Sequence, residues 1–287
     1  MVQAWRTAAR AARWELDTIT AAALELDLGR AYSEYVRDRA KAIEQWERIF
    51  NTYASADDDT YTGMAKRLVS PRLAQELLGD AVDKSIGASE ADLAAAKLEM
   101  LAKRDISDPN DVVALSLTIY YRLDGRKLKA RLLLRPLVKR AIERLSGNGP
   151  TDFLLAHAGL FEVLLAAGDV NRAISIAQAI GQLSDCRTED GKVPFICYCD
   201  GQCDQSLPTL EGLWFCPICW DTGFCLECCK LLEMGAVEIK KCGPKHVRDF
   251  IYIRRRPKQF KRGEILVDGE IIAFEEWKRQ LQTQWDL

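Results

Sequence analysis

The chain has 287 residues, of which 48% are hydrophobic and 29% charged, and its formal net charge is -2. This length allows two domains, and the composition is typical of an ordinary soluble protein. The near-neutral charge argues against a dedicated nucleic-acid-binding protein, which normally carries a basic excess. No apolar run approaches the length of a membrane span, and the N terminus shows no apolar signal segment. We therefore expect an intracellular protein, cytoplasmic or nuclear, that does not associate with membranes.

Residues 1 to about 50 are rich in alanine, leucine, arginine and glutamate, which favour helix, and they predict two helices. Within them, the run from Leu28 to Tyr32, which contains Gly29, is followed by Ala42 and Trp46. Small residues in such a pattern let paired helices approach closely, while the large residues fill the gaps. The pattern resembles a tetratricopeptide repeat.

The middle of the chain continues in helices. A polar run from 51 to 61 predicts a loop, and Ser70-Pro71 predicts a helix start within the next helical stretch. Two further repeat-like units contain Gly125 and Gly168 at equivalent positions. An irregular helical bundle with the same alanine and leucine stripes is the alternative. Both interpretations predict a mostly α fold to about residue 183.

Nine of the ten cysteines and one of the two histidines lie between residues 197 and 246. A tetrahedral structural zinc site needs four Cys or His ligands, usually delivered in pairs two to four residues apart, because one short turn can aim two side chains at one ion. The stretch contains four such pairs. They are Cys199/Cys203, Cys216/Cys219, Cys225/Cys228 and Cys242/His246.

These eight ligands fill two four-coordinate zinc ions. Because the second and third pairs are close in sequence, we expect an interleaved arrangement in which pairs one and three hold one ion and pairs two and four the other. Cys186, Cys197 and Cys229 are then spare thiols, although Cys197 is an alternative to Cys199 in the first pair. A disulfide framework is the competing interpretation, but disulfides belong to oxidising compartments.

The spacing from Cys216 to Cys228, preceded by Cys-Asp-Gly, resembles the ZZ-type zinc finger, whose two zinc ions are held in a cross-brace. Gly223 stands where these fingers usually carry an acidic residue, and His246 follows Cys242 where they usually close with two histidines. Helical repeats followed by such a module resemble the C-terminal regions of large fungal multidomain repeat proteins.

The remainder of the chain begins with a basic run, residues 254–262, which is either a solvated linker or a patch for an acidic partner or nuclear import. Asp268-Gly269 then predicts a β-hairpin, and residues 274–285 predict a helix with one apolar face. We expect this helix to pack against the zinc module or the last helical pair.

The predicted fold is therefore mostly α, with three parts. An α-helical, tetratricopeptide-like repeat domain spans residues 1–183. A small ZZ-like domain with two cross-braced zinc ions spans residues 194–253. A basic linker, a β-hairpin and a C-terminal helix follow over residues 254–287.

We do not expect an enzyme. A hydrolytic zinc keeps an open position for water, whereas eight ligands close two sites, and His157 lies in an apolar helical run where it is expected to pack. No phosphate-binding glycine motif occurs. The sequence favours a protein-interaction or scaffold protein with protein or peptide partners and no small-molecule substrate.

Two alternatives remain open for the zinc module. RING-type ubiquitin ligases are also cross-braced, although the lone Cys-x-His of RING spacing is not found before Cys225. Some ZZ fingers read free protein N termini, and Asp200, Asp204 and Asp221 are the candidate carboxylates for the ammonium group.

Overall fold

The structure is a computed structural model. It describes residues 2–14, 18–36, 38–53, 60–83, 87–104, 111–145, 150–184 and 197–287, without 202, 204, 208, 221, 238–241, 243, 256–260 and 262. Contacts within the chain divide it into two compact units, Met1–Asp124 and Gly125–Leu287. The domain boundary predicted near residues 184–194 falls almost entirely outside the described residues and stays a prediction.

Every regular element among the described residues of the first unit is a helix. Helices α1 and α2 are followed by a π-helical segment, Tyr32–Val36, and then by α3 to α6; each helix packs against at least one neighbour. The helices are α1 Val2–Trp14, α2 Thr18–Ala31, α3 Arg39–Thr52, α4 Tyr61–Val82, α5 Ala88–Arg104 and α6 Asp111–Leu123. Residues 1–50 thus contain most of three helices rather than two. The Asp38 carboxylate accepts the Lys41 N–H at 3.0 Å and marks the start of α3.

Close approach of α2 and α3 depends on Gly29. A Cβ atom at this position would lie 2.2 Å from Nε1 of Trp46. The Trp46 side chain is 1% exposed and therefore has no room to move away. The small-and-large pattern predicted from the sequence accordingly packs these two helices.

The helix start predicted at Ser70-Pro71 is wrong. Helix α4 begins at Tyr61, where the Thr60 hydroxyl accepts the Gly63 N–H at 3.1 Å, and it runs on through Pro71. Proline removes one helical hydrogen bond. Val69 and Leu73, on either side of it, are buried, and this burial holds the helix together across the defect.

The second unit combines helices with short strands. Its helices are α7 Lys127–Arg144, α8 Pro150–Ala167, α9 Val170–Ser184, α10 Leu226–Glu233 and α11 Phe274–Gln284. Its strands are β1 Cys197–Tyr198, β2 Ser206–Leu207, β3 Trp214–Phe215, β4 Gly223–Phe224, β5 Ile251–Tyr252, β6 Glu264–Val267 and β7 Glu270–Ala273. Helices, then a cysteine-rich region with small hairpins, then a hairpin and a helix follow one another in the predicted order, which confirms the fold class.

The predicted C-terminal hairpin is confirmed. Strands β6 and β7 pair antiparallel with Val267 opposite Glu270. Asp268 and Gly269 between them have φ angles of 50° and 92°, which is the conformation of a two-residue turn that matches strand twist.

The C-terminal helix α11 and the residues after it pack against helices α7 and α8. Phe274 stacks on His157 of α8 with ring centroids 5.3 Å apart, and Arg131 of α7 pairs with Asp286 at 3.1 Å. Trp277 and Leu281 on its apolar face are 0% exposed. His157 is itself 1% exposed, so it is a packed helix residue in this unit. No helix among the described residues combines the length and the apolar character needed to cross a membrane.

Two glycine substitutions are expected to have opposite effects on stability. Gly29→Ala places a methyl group against buried Trp46 and should lower the free energy of unfolding by about 1–3 kcal/mol. Gly159→Ala, inside α8 with nothing within 4 Å of the added Cβ, should raise it by about 0.5–1 kcal/mol. Urea titrations followed by circular dichroism measure both. A stabilising Gly29→Ala would show that the close approach of α2 and α3 is wrong.

Candidate metal centres

The first ligand group gathers Cys199, Cys203, Cys225 and Cys228, whose sulfur atoms all lie within 4.8 Å of one another. Cys199 follows strand β1 and Cys203 lies in the same turn toward β2. Cys225 is the N-cap of α10, and Cys228 lies in its first turn. A turn and a helix start therefore each supply one pair.

The second ligand group gathers Cys216, Cys219, Cys242 and Nδ1 of His246, again within 4.8 Å of one another. Cys216 directly follows β3, and Cys219 closes the turn after it. His246 lies in a short 3-10 helix, Pro244–Asp249. Pairs one and three thus form one group and pairs two and four the other, in the interleaved order expected from the sequence.

The distances within both groups fit tetrahedral zinc. With Zn–S near 2.3 Å and Zn–N near 2.0–2.1 Å, the edges of the tetrahedron are about 3.8 Å between sulfurs and about 3.6 Å between sulfur and nitrogen. Cys203 Sγ lies 3.8 Å from Cys225 Sγ. Nδ1 of His246 lies 3.7 Å from Cys216 Sγ, 3.3 Å from Cys219 Sγ and 3.7 Å from Cys242 Sγ. The two groups are placed to bind two zinc ions.

Backbone N–H groups point at several of these sulfurs. Cys199 Sγ accepts from the N–H of Gly201 at 3.4 Å and of Cys225 at 3.2 Å. Cys216 Sγ accepts from the N–H of Cys219 at 3.3 Å. Donors aimed at a sulfur favour the thiolate, which is the form that binds metal.

Burial acts in the opposite direction on the metal-free thiols. Burial raises the pKa of Cys199 to about 11, so this ligand keeps its proton at neutral pH until a cation replaces it. Zinc binding to the module therefore releases protons.

Gly201 is required by the first group. A Cβ atom there would lie 2.3 Å from Cys228 Sγ and 3.2 Å from Cys199 Sγ. Both sulfurs belong to the ligand set, so neither can move without distorting the tetrahedron. The Cys-Asp-Gly sequence thus contains a structural glycine as well as a ligand, a requirement that the ligand spacing alone did not reveal.

Asp200 and Gly223 join the two ligand groups through one backbone hydrogen bond and one hydrogen bond to the Asp200 side chain. The Asp200 N–H donates to the Gly223 carbonyl at 2.9 Å, and the Gly223 N–H donates to Asp200 Oδ2 at 2.8 Å. A Cβ atom on Gly223 would lie 2.8 Å from the ring of Phe215. Asp200 therefore has a structural role that its sequence context did not indicate. Asp204 and Asp221 lie outside the described residues.

The spare cysteines differ from the ligands in their surroundings. Cys197 Sγ lies 3.8 Å from the Tyr198 carbonyl, to which it donates, and burial raises its pKa to about 12. Burial also raises the pKa of Cys229. The structure places Cys199, and not Cys197, in the first group. No disulfide joins the cysteines that it describes, and Cys186 lies outside those residues.

A small sheet holds the second group against the helices. Strands β4, β3 and β5 pair side by side in one sheet. The Phe215 ring of β3 packs edge-on against Phe161 of α8, with centroids 5.0 Å apart. The Gln178 side chain of α9 donates to the Arg254 carbonyl at 3.1 Å. Most of the basic run after Arg254 lies outside the described residues.

Neither a protein-family model nor a curated protein nor a solved structure matches the chain.

Zinc content tests the ligand assignment. The purified chain should contain about two zinc ions by elemental mass spectrometry, because eight ligands form two four-ligand groups. Cys216→Ser or Cys228→Ser should reduce this number, since serine is a poor zinc ligand. Cys197→Ser and Cys229→Ser serve as matched controls and should leave it unchanged. A native content near one ion, or a loss of zinc in Cys197→Ser, would contradict the assignment.

Gly201→Ala is expected to weaken the first zinc site more than the second. Its new methyl group meets Cys228 Sγ, so competition with a coloured chelator should show one of the two ions bound at least about tenfold more weakly. Gly235→Ala is the control in the same module. Its φ of 66° makes alanine strained, but nothing lies within 4 Å of its Cβ. Equal zinc affinity in the native and Gly201→Ala chains would exclude the close contact.

Proposed function

We propose that the chain is an intracellular protein-interaction or scaffold protein with two structural zinc ions. In this proposal the helices form a tetratricopeptide-like surface for a protein or peptide partner, and the zinc module is a ZZ-like cross-brace that adds a second, rigid surface. The proposal includes no enzymatic activity.

The observation that carries the proposal is the number of protein ligands in each group. Four Cys or His side chains converge on each position, so a tetrahedral ion in either group has no coordination site left for water or substrate. Catalytic zinc sites keep such a site open. The metal chemistry therefore supports a structural role.

An exposed apolar strip on α7 is the partner surface that we favour on the helices. Leu128 and Leu132 lie one turn apart on one helix face and are 72% and 62% exposed. Exposed leucines are common singly, whereas adjacent ones suit an apolar partner.

Asp200 is a candidate carboxylate for the alternative in which the zinc module binds protein N termini. Its carboxylate already accepts the Gly223 N–H at 2.8 Å, which reduces its capacity to bind an ammonium group. This observation favours the scaffold over the reader.

Affinity capture followed by mass spectrometry tests the two proposed surfaces. A Leu128→Asp, Leu132→Asp double variant should lose partners that bind the helices, whereas Leu155→Asp, an exposed leucine on α8, should keep them. Cys219→Ser should lose partners that bind the zinc module, and Cys229→Ser is its matched control. Retention of every partner by both test variants would contradict the proposal.

A reconstituted ubiquitin-transfer assay separates the scaffold from the ligase. We expect no ubiquitinated product above background, because the lone Cys-x-His of RING spacing is not found before Cys225. The positive control is a known RING ligase in the same reaction. Transfer that disappears in Cys219→Ser and persists in Cys229→Ser would replace the scaffold with the ligase.

A further inference from the structure

A cavity of about 240 Å³ lies among the first helices of the chain, within the first unit and remote in sequence from the zinc module. Helices α1, α2 and α3 and the π-helical segment all contribute to its wall. Single π-helical turns often occur at functional sites. Here that turn contributes Tyr32 to the wall.

Cationic side chains come to this cavity from two helices. Arg6 and Arg10 are one turn apart on α1, and Lys41 lies on α3. The guanidinium of Arg6 lies 5.2 Å from the centroid of the Tyr32 ring, and the Lys41 ammonium lies 6.0 Å from it. Two positive groups are therefore held over the same aromatic ring, although Lys41 also pairs with Asp38. The nearby positive charges favour an anion.

Two buried hydrogen-bond donors line the same wall. Tyr32 is 4% and Gln45 3% exposed. The Tyr32 hydroxyl and the Gln45 Nε2 have no hydrogen-bond partner among the residues that the structure describes. A buried donor without a partner destabilises the fold. A ligand that accepts from both groups would recover this loss.

The acidic residues of the wall restrict the ligand. Glu44 pairs with Arg48 at 3.0 Å. Glu25 is 0% exposed and also lines the cavity. Its carboxylate opposes a compact, multiply charged anion. A ligand that also carries an ammonium group avoids this repulsion.

We propose that the cavity binds a small molecule that carries one phosphate or carboxylate group together with an amine. Arg6, Arg10 and Lys41 supply the positive charge for the acid group, and Tyr32 and Gln45 donate hydrogen bonds to it. Glu25 takes the ammonium end. This ligand was not expected from the sequence, which favoured protein or peptide partners alone, and the proposal does not depend on the function of the zinc module.

Calorimetric titration of the full chain with three small amines, each with its amino group on a two-carbon unit, tests the site. Phosphoethanolamine carries the amine with a phosphate, β-alanine carries it with a carboxylate, and ethylammonium carries no acid group. Binding of the first assigns a phosphate, and binding of the second assigns a carboxylate. Either result supports the site when ethylammonium binds more weakly. Failure of both acid-bearing probes to bind, or equal binding of all three, overturns it.

Single substitutions locate the binding within the chain. Tyr32→Phe removes one hydroxyl and keeps the ring, and Arg10→Gln removes one positive charge. Each should weaken binding about tenfold. Lys103→Gln on α5 makes the same charge change at an exposed position outside the cavity and should leave the affinity unchanged. Circular dichroism verifies that the variants are folded. Unchanged binding in both cavity variants, or equal weakening in Lys103→Gln, would overturn the proposal.

Discussion

Convergence of four side chains on each of two points is the constraint that shapes the zinc module. Among the residues of the zinc module that the structure describes, the strands are two residues long, and few apolar side chains are fully buried, among them Leu213, Phe224 and Leu232. Such short elements do not form a stable sheet by themselves. Structural zinc contributes about 10–16 kcal/mol in small domains, and this contribution replaces a larger apolar core.

The same short strand connects the ligands to the helices. Cys216 is a ligand, and Phe215 immediately before it packs on Phe161 of α8. Gly223, opposite Phe215 in the sheet, exchanges hydrogen bonds with Asp200, which lies between two ligands of the other group. A displacement of either ligand group would therefore also displace the buried contact between Phe215 and Phe161 of α8.

Local chemistry made part of this structure predictable. Ligand pairs and the Asp268-Gly269 turn depend on a few neighbouring residues, so their spacing was sufficient. The continuation of α4 through Pro71 depends on burial by other helices, which local preference does not contain. Likewise, Arg6, Tyr32 and Gln45 meet only after three helices have packed, and no motif joins them in the sequence. The requirement for glycine at position 201 depends on the atoms beside it, because this residue lies between two ligands.

Interleaving of the ligand pairs has a consequence for the order in which the ions enter. Joining Cys199 and Cys203 to Cys225 and Cys228 encloses the pair Cys216 and Cys219 within the closed loop. Closing this loop costs conformational entropy, and that cost is incurred only once. The first ion therefore already restricts part of the chain that must become ordered for the second ion to bind. Filling either site thus lowers the cost of filling the other, and intermediates with one ion are depleted during assembly. A chain with two separate zinc loops, one after the other in sequence, would have no such coupling.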